Sequence, residues 1–291
     1  MPHKRPSALD SLPSQTLLAR EVQLREGATP AALPNPLSTG PLYSISADAF
    51  LLQLPSGLRF HYQKGGGIVF SRPPGVSDAE VALFHSGSLY GAVAWLNGLV
   101  PLHASAVVHD GRVHAFTGQS GTGKSTLGAA LSQRGLAMFA DDVLILDLSD
   151  PKQPMALLGH KRLKLWSESL DLIGVNGDDR VRNNIDKFYV EPPLLQRSAA
   201  LPFGHLYTLA HATSGEPALR SLSGAERFST MRGAFYRPLY GAAVLRPVDV
   251  YGIVSRLQSQ VGLHVFDRSR ARDRFASNTD FLAAAIRAGH G

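Results

Sequence analysis

The sequence predicts an α/β fold, a mixed sheet with flanking helices, preceded by a small β-rich region. Three observations predict it. Apolar strand segments alternate with helical segments after Pro101, and a glycine-rich loop at 118–125 joins a strand to a helix. Short strand-like segments separated by turn residues occupy 49–72. We therefore expect a β-rich N-terminal region with one long helix over residues 1–100, and a larger α/β domain over residues 101–291.

The composition narrows the class of protein. The chain has 291 residues, of which 44% are hydrophobic and 18% charged, as is typical of globular proteins with a sizeable core. There is no cysteine, which excludes disulfides and cysteine-based zinc sites. No apolar run of signal-peptide type follows the N-terminus, so a cytoplasmic location is expected. The net charge is +6, but Lys and Arg are not interleaved with aromatic residues, so no nucleic-acid partner is predicted.

The β-rich region contains three strand segments separated by turn residues, at 50–54, 58–62 and 68–70. Ser77 and Glu80 then form the pattern of a capping box and predict the start of a helix. No charged residue occurs from Val81 to Val100, a length that would also suit a membrane span. Histidine, serine, asparagine and three glycines within it favour a buried helix. We therefore predict no membrane span.

The segments after Pro101 follow the order of an α/β fold. Strands are expected at 104–108 and 113–117, then a helix from Lys124 to Arg134 that Gly135 ends, and further strands at 136–140 and 143–148. Towards the C-terminus, helices are expected at 225–235, 248–260 and 279–288, with a strand at 263–266.

The loop between the second strand and the helix matches the phosphate-binding pattern G-x-x-x-x-G-K-[ST] at every position. Its glycines let backbone amides point at phosphate oxygens, and the helix N-terminus adds partial positive charge. Lys124 is expected to reach the β- and γ-phosphates of ATP, and the hydroxyl of Ser125 to bind Mg²⁺. The residues predicted to bind nucleotide are Gly118, Gln119, Ser120, Gly121, Thr122, Gly123, Lys124, Ser125 and Thr126.

Two adjacent carboxylates follow the next strand. Asp142 stands 17 residues after Ser125 and is preceded by Asp141. Acidic residues at the end of a neighbouring strand lie beside the loop in α/β folds. One carboxylate can then bind Mg²⁺ and the other can accept a proton from an attacking hydroxyl. The alternative is a solvated Asp-Asp turn without a chemical role.

These residues resemble a known family. His103, the loop 118–125 and the sequence Arg134-Gly135 followed by Ala140-Asp141-Asp142 are similar to the catalytic domain of HPr kinase/phosphorylase. That resemblance implies the kinase core shared with PEP carboxykinases, with Asp142 as proton acceptor and His103 beside it. Without the resemblance, His103 would be read as an ordinary histidine at a strand edge.

The chain is most similar to shorter HPr-kinase-like proteins. It carries their patterns as Leu102-His103-Ala104-Ser105-Ala106-Val107, Asp141-Asp142-Val143, Leu163-Lys164-Leu165-Trp166 and Asp186-Lys187. Some of these proteins phosphorylate the C-terminal serine of a lasso-peptide precursor. The family usually has Glu where this chain has Thr126, and the segment used for dephosphorylation has no counterpart. The resemblance therefore implies a kinase without the reverse activity.

Two further positions are candidates. Glu168 stands near the position of the family's second metal carboxylate, and its alternative is a solvent-facing helix residue. Arg237, like Arg232, flanks an aromatic-rich stretch, and an arginine commonly stabilises a transferring phosphoryl group. Packing is the alternative for both arginines. The sequence thus predicts a kinase that phosphorylates a serine of a peptide or protein. It is also compatible with a homo-oligomer. The functional alternative is an ATPase module that regulates a partner.

Overall fold

A computed structural model describes residues 12–159, 163–177, 180–182, 185–192, 194–196, 200–211 and 215–289. The strands, numbered in chain order, are β1 (Leu24–Glu26), β2 (Ser38–Thr39), β3 (Tyr43–Ile45), β4 (Ala49–Gln53), β5 (Arg59–Gln63), β6 (Gly67–Ser71), β7 (Val100–His103), β8 (Ser105–His109), β9 (Arg112–Thr117), β10 (Ala137–Ala140), β11 (Val143–Asp147), β12 (Met155–Leu157), β13 (Leu163–Trp166), β14 (Arg180–Arg182), β15 (Ile185–Val190), β16 (Ala200–His211), β17 (Ala218–Ser221) and β18 (Gly262–Arg268). The helices are α1 (Pro13–Glu21), α2 (Asp78–Phe84), α3 (Tyr90–Leu96), α4 (Lys124–Gln133), α5 (Ser167–Ile173), α6 (Gly224–Gly233), α7 (Pro238–Val244), α8 (Pro247–Gln260) and α9 (Phe275–Arg287).

The chain divides into two compact units. The first contains the residues up to Pro101 together with Tyr236–Ile253, and the second contains Leu102–Phe235 and the residues from Val254 onward. The predicted α/β class with mixed sheets is confirmed. Among the described residues, every helix is too short or too polar to cross a lipid bilayer.

The first unit contains a six-stranded sheet in the order β1-β6-β5-β4-β3-β2, antiparallel except for the parallel pair β1 and β6. The capped helix forms where the sequence predicts it, because the Ser77 hydroxyl accepts a hydrogen bond from the Glu80 amide at 3.2 Å. The uncharged segment continues as α2, a π-helical turn at His85–Leu89, and α3. All residues of α3 are buried, as expected for an apolar helix in a core.

Helix α7 was not predicted from the sequence. Pro238 occupies its first turn, where the fixed φ of proline favours a helix start and its missing N–H has no cost. The helix packs closely against α3. A Cβ added at Gly241 would lie 2.9 Å from Cε2 of Trp95, whose ring is held because its Nε1 donates to the Tyr236 carbonyl at 3.0 Å.

We expect Gly241→Ala to lower the free energy of unfolding by about 1–2 kcal/mol, because the clash with Trp95 outweighs the gain in helix propensity. Gly252→Ala in α8 is the matched control, since nothing lies within 4 Å of the added Cβ. That control should raise stability by up to about 1 kcal/mol. Urea unfolding followed by Trp95 fluorescence in a Trp166→Phe background measures both. Equal stabilisation by the two substitutions would contradict the predicted contact.

The second unit contains a nine-stranded sheet. Its main path runs β10-β8-β9-β16-β12-β11-β7, and β18 pairs with both β16 and β17. The first residues of β16 pair with β12, whereas 203–208 pair in parallel with β9 and 205–211 in parallel with β18. The carboxyl ends of β9, β16 and β18 therefore meet at one edge of the sheet, which we call the loop edge. Ligands gather at such an edge in α/β folds.

Helices α4 and α9 pack on one face of this sheet. The core there contains Phe116, Leu127, Tyr207, Phe266 and Leu282, each fully buried. Leu163 and Leu165 of β13 join the same core, so the small three-stranded sheet β13-β15-β14 packs beside α4. Burial of apolar side chains on both sides of α4 fixes the position of the loop that precedes it.

A stack of aromatic rings, which we call the histidine stack, lies on the same sheet towards the ends of β9 and β18 remote from the loop edge. It contains His114, His205, Tyr207 and His264. His114 Nδ1 lies 3.1 Å from the Tyr207 hydroxyl, and His205 Nδ1 lies 3.3 Å from His264 Nε2. Burial, followed by the charges of neighbouring histidines, lowers the pKa of His114 to about 3 and that of His264 to about 4.

Candidate active site

The glycine-rich loop connects β9 to α4 at the loop edge, as the sequence predicts. Gly123 adopts a φ of 84° and is followed at once by the first residue of α4. This left-handed conformation turns the chain so that the helix N-terminus faces the loop. The Thr122 hydroxyl donates to the Gln119 carbonyl at 2.8 Å and holds the turn internally. The loop is thus a closed turn that leads directly into the N-terminus of α4.

Lys124 is almost completely buried at the start of α4. Its Nζ donates to the carbonyl oxygens of Gly118 and Gln119, at 2.9 and 3.2 Å. An ammonium group needs such partners when it is withdrawn from water. The side chain therefore lies along the inner side of the loop, where a phosphate oxygen can replace a carbonyl as its acceptor.

His103 and Asp142 meet at the same edge. His103 Nδ1 lies 3.4 Å from Asp142 Oδ1 and 3.0 Å from the Asp142 backbone oxygen. The Thr117 hydroxyl, one residue before the loop, donates to the His103 carbonyl at 3.0 Å. Strand pairing explains the meeting, because β8 lies between β9 and β10 in the sheet. Residues 15 positions before the loop and 17 after its serine are thereby brought together.

Asp142 has an unusual backbone conformation. It joins β10 to β11 with a φ of 68°, in the left-handed region that costs a non-glycine residue about 1–2 kcal/mol. Asp and Asn tolerate this region better than other side chains. About a third of the Asp142 side chain is exposed, whereas Asp141 is buried. A strained, partly exposed carboxylate beside a glycine-rich loop is typical of a functional position.

A cleft of about 650 Å³ opens beside the loop. Lys124, Ser125, His103 and Asp142 line it, together with Glu168 from the first turn of α5. The described residues that line it do not include Asp141. A further part of the wall, which the sequence does not predict, consists of Leu165, Trp166, Ser167, Ser169 and Asp186. Ser167 donates a hydrogen bond to Asp186, and the Trp166 side chain is 47% exposed.

The three predicted Mg²⁺ ligands do not all line the cleft. Ser125 and Glu168 line the cleft, and Asp141 is buried next to Asp142 in the chain. Within the described ranges, no group of three or more His, Asp or Glu side chains is gathered as a metal cage. Mg²⁺ in nucleotide sites commonly keeps several waters and takes one or two protein oxygens plus phosphate oxygens. The serine hydroxyl and the carboxylates of the cleft fit that donor set.

Arg237 and Lys187 are not among the described residues that line the cleft. Arg237 belongs to the first unit, where it precedes α7 with a φ of 48°. Its Nη2 donates to the Ser88 hydroxyl at 3.2 Å, and its guanidinium lies 5.7 Å from the centre of the Tyr236 ring. The side chain of Lys187, from the Asp186-Lys187 pattern, lies outside the described part of the structure.

A second cavity lies beside the loop and is not predicted from the sequence. Its volume is about 390 Å³, and we call it the arginine cavity. The residues that line it are Gly121, Thr122, Gly123, Thr126, Glu168, Ser169, Leu172, His211, Arg268, Ser269, Arg270, Ala271, Arg272 and Phe275. A signal was present, because four arginines alternate with other residues from Arg268 to Arg274, directly after a predicted strand.

The sequence matches no family model and no curated protein. Among solved structures, that of the Hpr(Ser) kinase/phosphatase from Coxiella burnetii matches with 12% sequence identity and a TM-score of 0.36. The match covers 65% of this chain and 95% of that chain. A TM-score of this size does not establish a common fold.

Proposed function

We propose that the protein is an ATP- and Mg²⁺-dependent kinase that transfers the γ-phosphate of ATP to a hydroxyl group. The supporting observation is that His103 and Asp142 face the same cleft as Lys124 and Ser125. The loop supplies phosphate binding, and the pair supplies a base for a hydroxyl nucleophile. Motors and switches share the first property, whereas the second favours transfer to an alcohol.

In the proposed reaction, an acceptor hydroxyl enters the cleft next to Asp142. Its oxygen forms a bond to the γ-phosphorus while the bond from that phosphorus to the bridging oxygen breaks, and ADP leaves. Asp142 accepts the hydroxyl proton, and His103 orients the carboxylate through its Nδ1 contact. Lys124 exchanges its loop carbonyls for β- and γ-phosphate oxygens.

Ser125 and Glu168 line this cleft and would hold Mg²⁺ there. Asp141, the buried neighbour of Asp142, remains a proposed further ligand. Bound Mg²⁺ neutralises negative charge on the phosphate oxygens. Arg237 remains a proposed contact of the transferring phosphoryl group. The proposed acceptor is a serine of a peptide or protein, and the resemblance of the sequence suggests the C-terminal serine of a lasso-peptide precursor. We also propose a cytoplasmic location and homo-oligomerisation.

Transfer of radiolabelled phosphate tests the kinase proposal. We expect label from γ-labelled ATP to appear on serine-containing peptides with wild-type protein. Lys124→Met should abolish transfer, because it removes the ammonium that contacts the β- and γ-phosphates. Release of free phosphate at the same rate with and without peptides, with no labelled peptide, would instead support an ATPase module that regulates a partner.

A further inference from the structure

The cleft and the arginine cavity lie next to each other, because residues of the same loop line both. Gly121, Gly123 and Thr126 line both the cleft and the arginine cavity, whereas Lys124 and Ser125 line the cleft alone and Thr122 lines the arginine cavity alone. In a loop of this type, the lysine contacts the β- and γ-phosphates and the serine binds the metal beside them. The terminal phosphates therefore belong in the cleft, and the rest of a nucleotide must leave the loop in another direction.

Arg268, the last residue of β18, lines the arginine cavity and contacts the loop. Only 6% of its surface is exposed, and its Nη2 donates to the Thr122 carbonyl. Its Nε has no hydrogen-bond partner among the described residues. A buried guanidinium with an unused donor is costly, so the position favours an additional acceptor.

His211, at the end of β16, adds a second unused polar group. Neither of its buried ring nitrogens has a hydrogen-bond partner among the residues that the structure describes. Burial, followed by the charges of Arg270 and Arg268, lowers the pKa of His211. The surroundings are therefore cationic, and they favour an anion or neutral hydrogen-bonding groups over another cation.

The rest of the cavity suits a flat ring. Leu172, Ala271 and Phe275 supply apolar surface, and Arg270 and Arg272 are exposed at its rim. Guanidinium groups stack on aromatic faces and also bind phosphate oxygens. Arg272 is 4.0 Å from Asp171 on α5, a contact between exposed groups that contributes little and is readily exchanged. The volume of about 390 Å³ is typical of small-molecule sites.

We propose that the arginine cavity is the nucleoside subsite, which takes the α-phosphate, ribose and purine base of the nucleoside triphosphate. This inference rests on the proposed function, since it places the terminal phosphates in the cleft. Arg270 and Arg272 contact the α-phosphate and stack on the base, and the unused donors of Arg268 and His211 face the ribose.

Calorimetric titration of the full chain with Mg²⁺-ATP and with Mg²⁺-pyrophosphate, which has only the equivalents of the two terminal phosphates, tests the subsite. The Arg270→Ala/Arg272→Ala double variant should bind ATP about ten- to hundredfold more weakly, while pyrophosphate binding stays within about twofold of wild type. A Lys/Lys double variant, which keeps the charges but not the planar groups, should fall between the two. Arg246→Ala, which removes an arginine paired with Asp249 on the surface, is the control and should change neither affinity.

Each alternative result has a distinct meaning. Unchanged ATP affinity in the Ala/Ala variant would place the nucleoside elsewhere and overturn the inference, while the kinase proposal would stand. An equal loss for ATP and pyrophosphate would assign the arginines to the terminal phosphates and also overturn it. Failure of wild-type protein to bind either ligand would refute the proposed function itself, and the subsite with it.

Discussion

Asp142→Asn should lower the rate of phosphate transfer about 10²–10⁴-fold, the range expected for loss of a general base. The amide has the shape of the carboxylate but cannot accept the hydroxyl proton. Asparagine also tolerates the left-handed backbone that Asp142 adopts at φ 68°, so the fold should be retained. ATP affinity should remain close to wild type, because Lys124 and the loop amides are unchanged. Transfer of labelled phosphate and ATP titration measure the two effects separately.

Asp110→Asn provides a matched control. Asp110 also has a left-handed backbone, with φ 46°, but lies in the turn between β8 and β9 and is exposed. The control should leave the transfer rate and the stability within experimental error. If Asp142→Asn transferred phosphate as fast as wild type, another group would be the base and the pairing with His103 would be structural.

Acidification should destabilise the second unit through the histidine stack. His114 and His264 are buried, and their pKa values are lowered to about 3 and about 4 in the folded state. In the unfolded chain they bind protons near pH 6.5. The unfolded state therefore binds more protons below that pH, and stability falls as pH decreases. For the two residues together, we expect a loss of about 3 kcal/mol between pH 6.5 and 5.

The groups around the stack give little compensation. Tyr207 and Ser221 contact the rings as neutral partners, at 3.1 and 3.4 Å. Arg112 lowers the pKa of His114 and His205, and Arg227 lowers that of His264. A protonated imidazole in the stack would therefore be repelled by the other positive charges nearby. No acidic side chain contributes to the lowered pKa values of these three residues.

Urea unfolding at pH 7.5, 6.5, 5.5 and 5.0 measures the effect, with hydrogen exchange of β16 and β18 assigning it to this unit. His114→Gln should reduce the pH dependence by about one proton, and His264→Gln by a similar amount. If the stability of the wild-type protein stayed constant from pH 6.5 to 5, protonation of the histidines would not destabilise the fold, and the prediction would be wrong.

Much of the second unit could be predicted from the sequence, because its signals are local. The glycine pattern, the strand before it and the helix after it occupy a continuous stretch, and the structure has β9, the loop and α4 in that order. The family resemblance alone predicts His103 as a site residue, whereas Asp142 is also predicted from its place after a buried strand. The structure places their side chains 3.4 Å apart and lining one cleft.

The missed features depend on contacts between distant parts of the chain. The arginine cavity forms because β18 pairs in parallel with β16, so that Arg268 ends beside His211 and reaches the loop. The wall containing Trp166 and Asp186 requires β13 to pair with β15, which the patterns of each strand do not specify. The histidine stack likewise arises from strand register, since His114 lies opposite His205 across β9 and β16. Periodicity within one segment carries no information about these pairings.

The placement of the two tryptophans has a practical consequence. The chain contains only Trp95 and Trp166. Trp95 is buried in the first unit, whereas Trp166 lines the cleft of the second and is 47% exposed. In a Trp95→Phe background, emission would come from the cleft wall alone, where polarity and quenching change when a molecule enters. Fluorescence of Trp166 can thus report binding of candidate peptides in the cleft, before the acceptor of the proposed kinase has been identified.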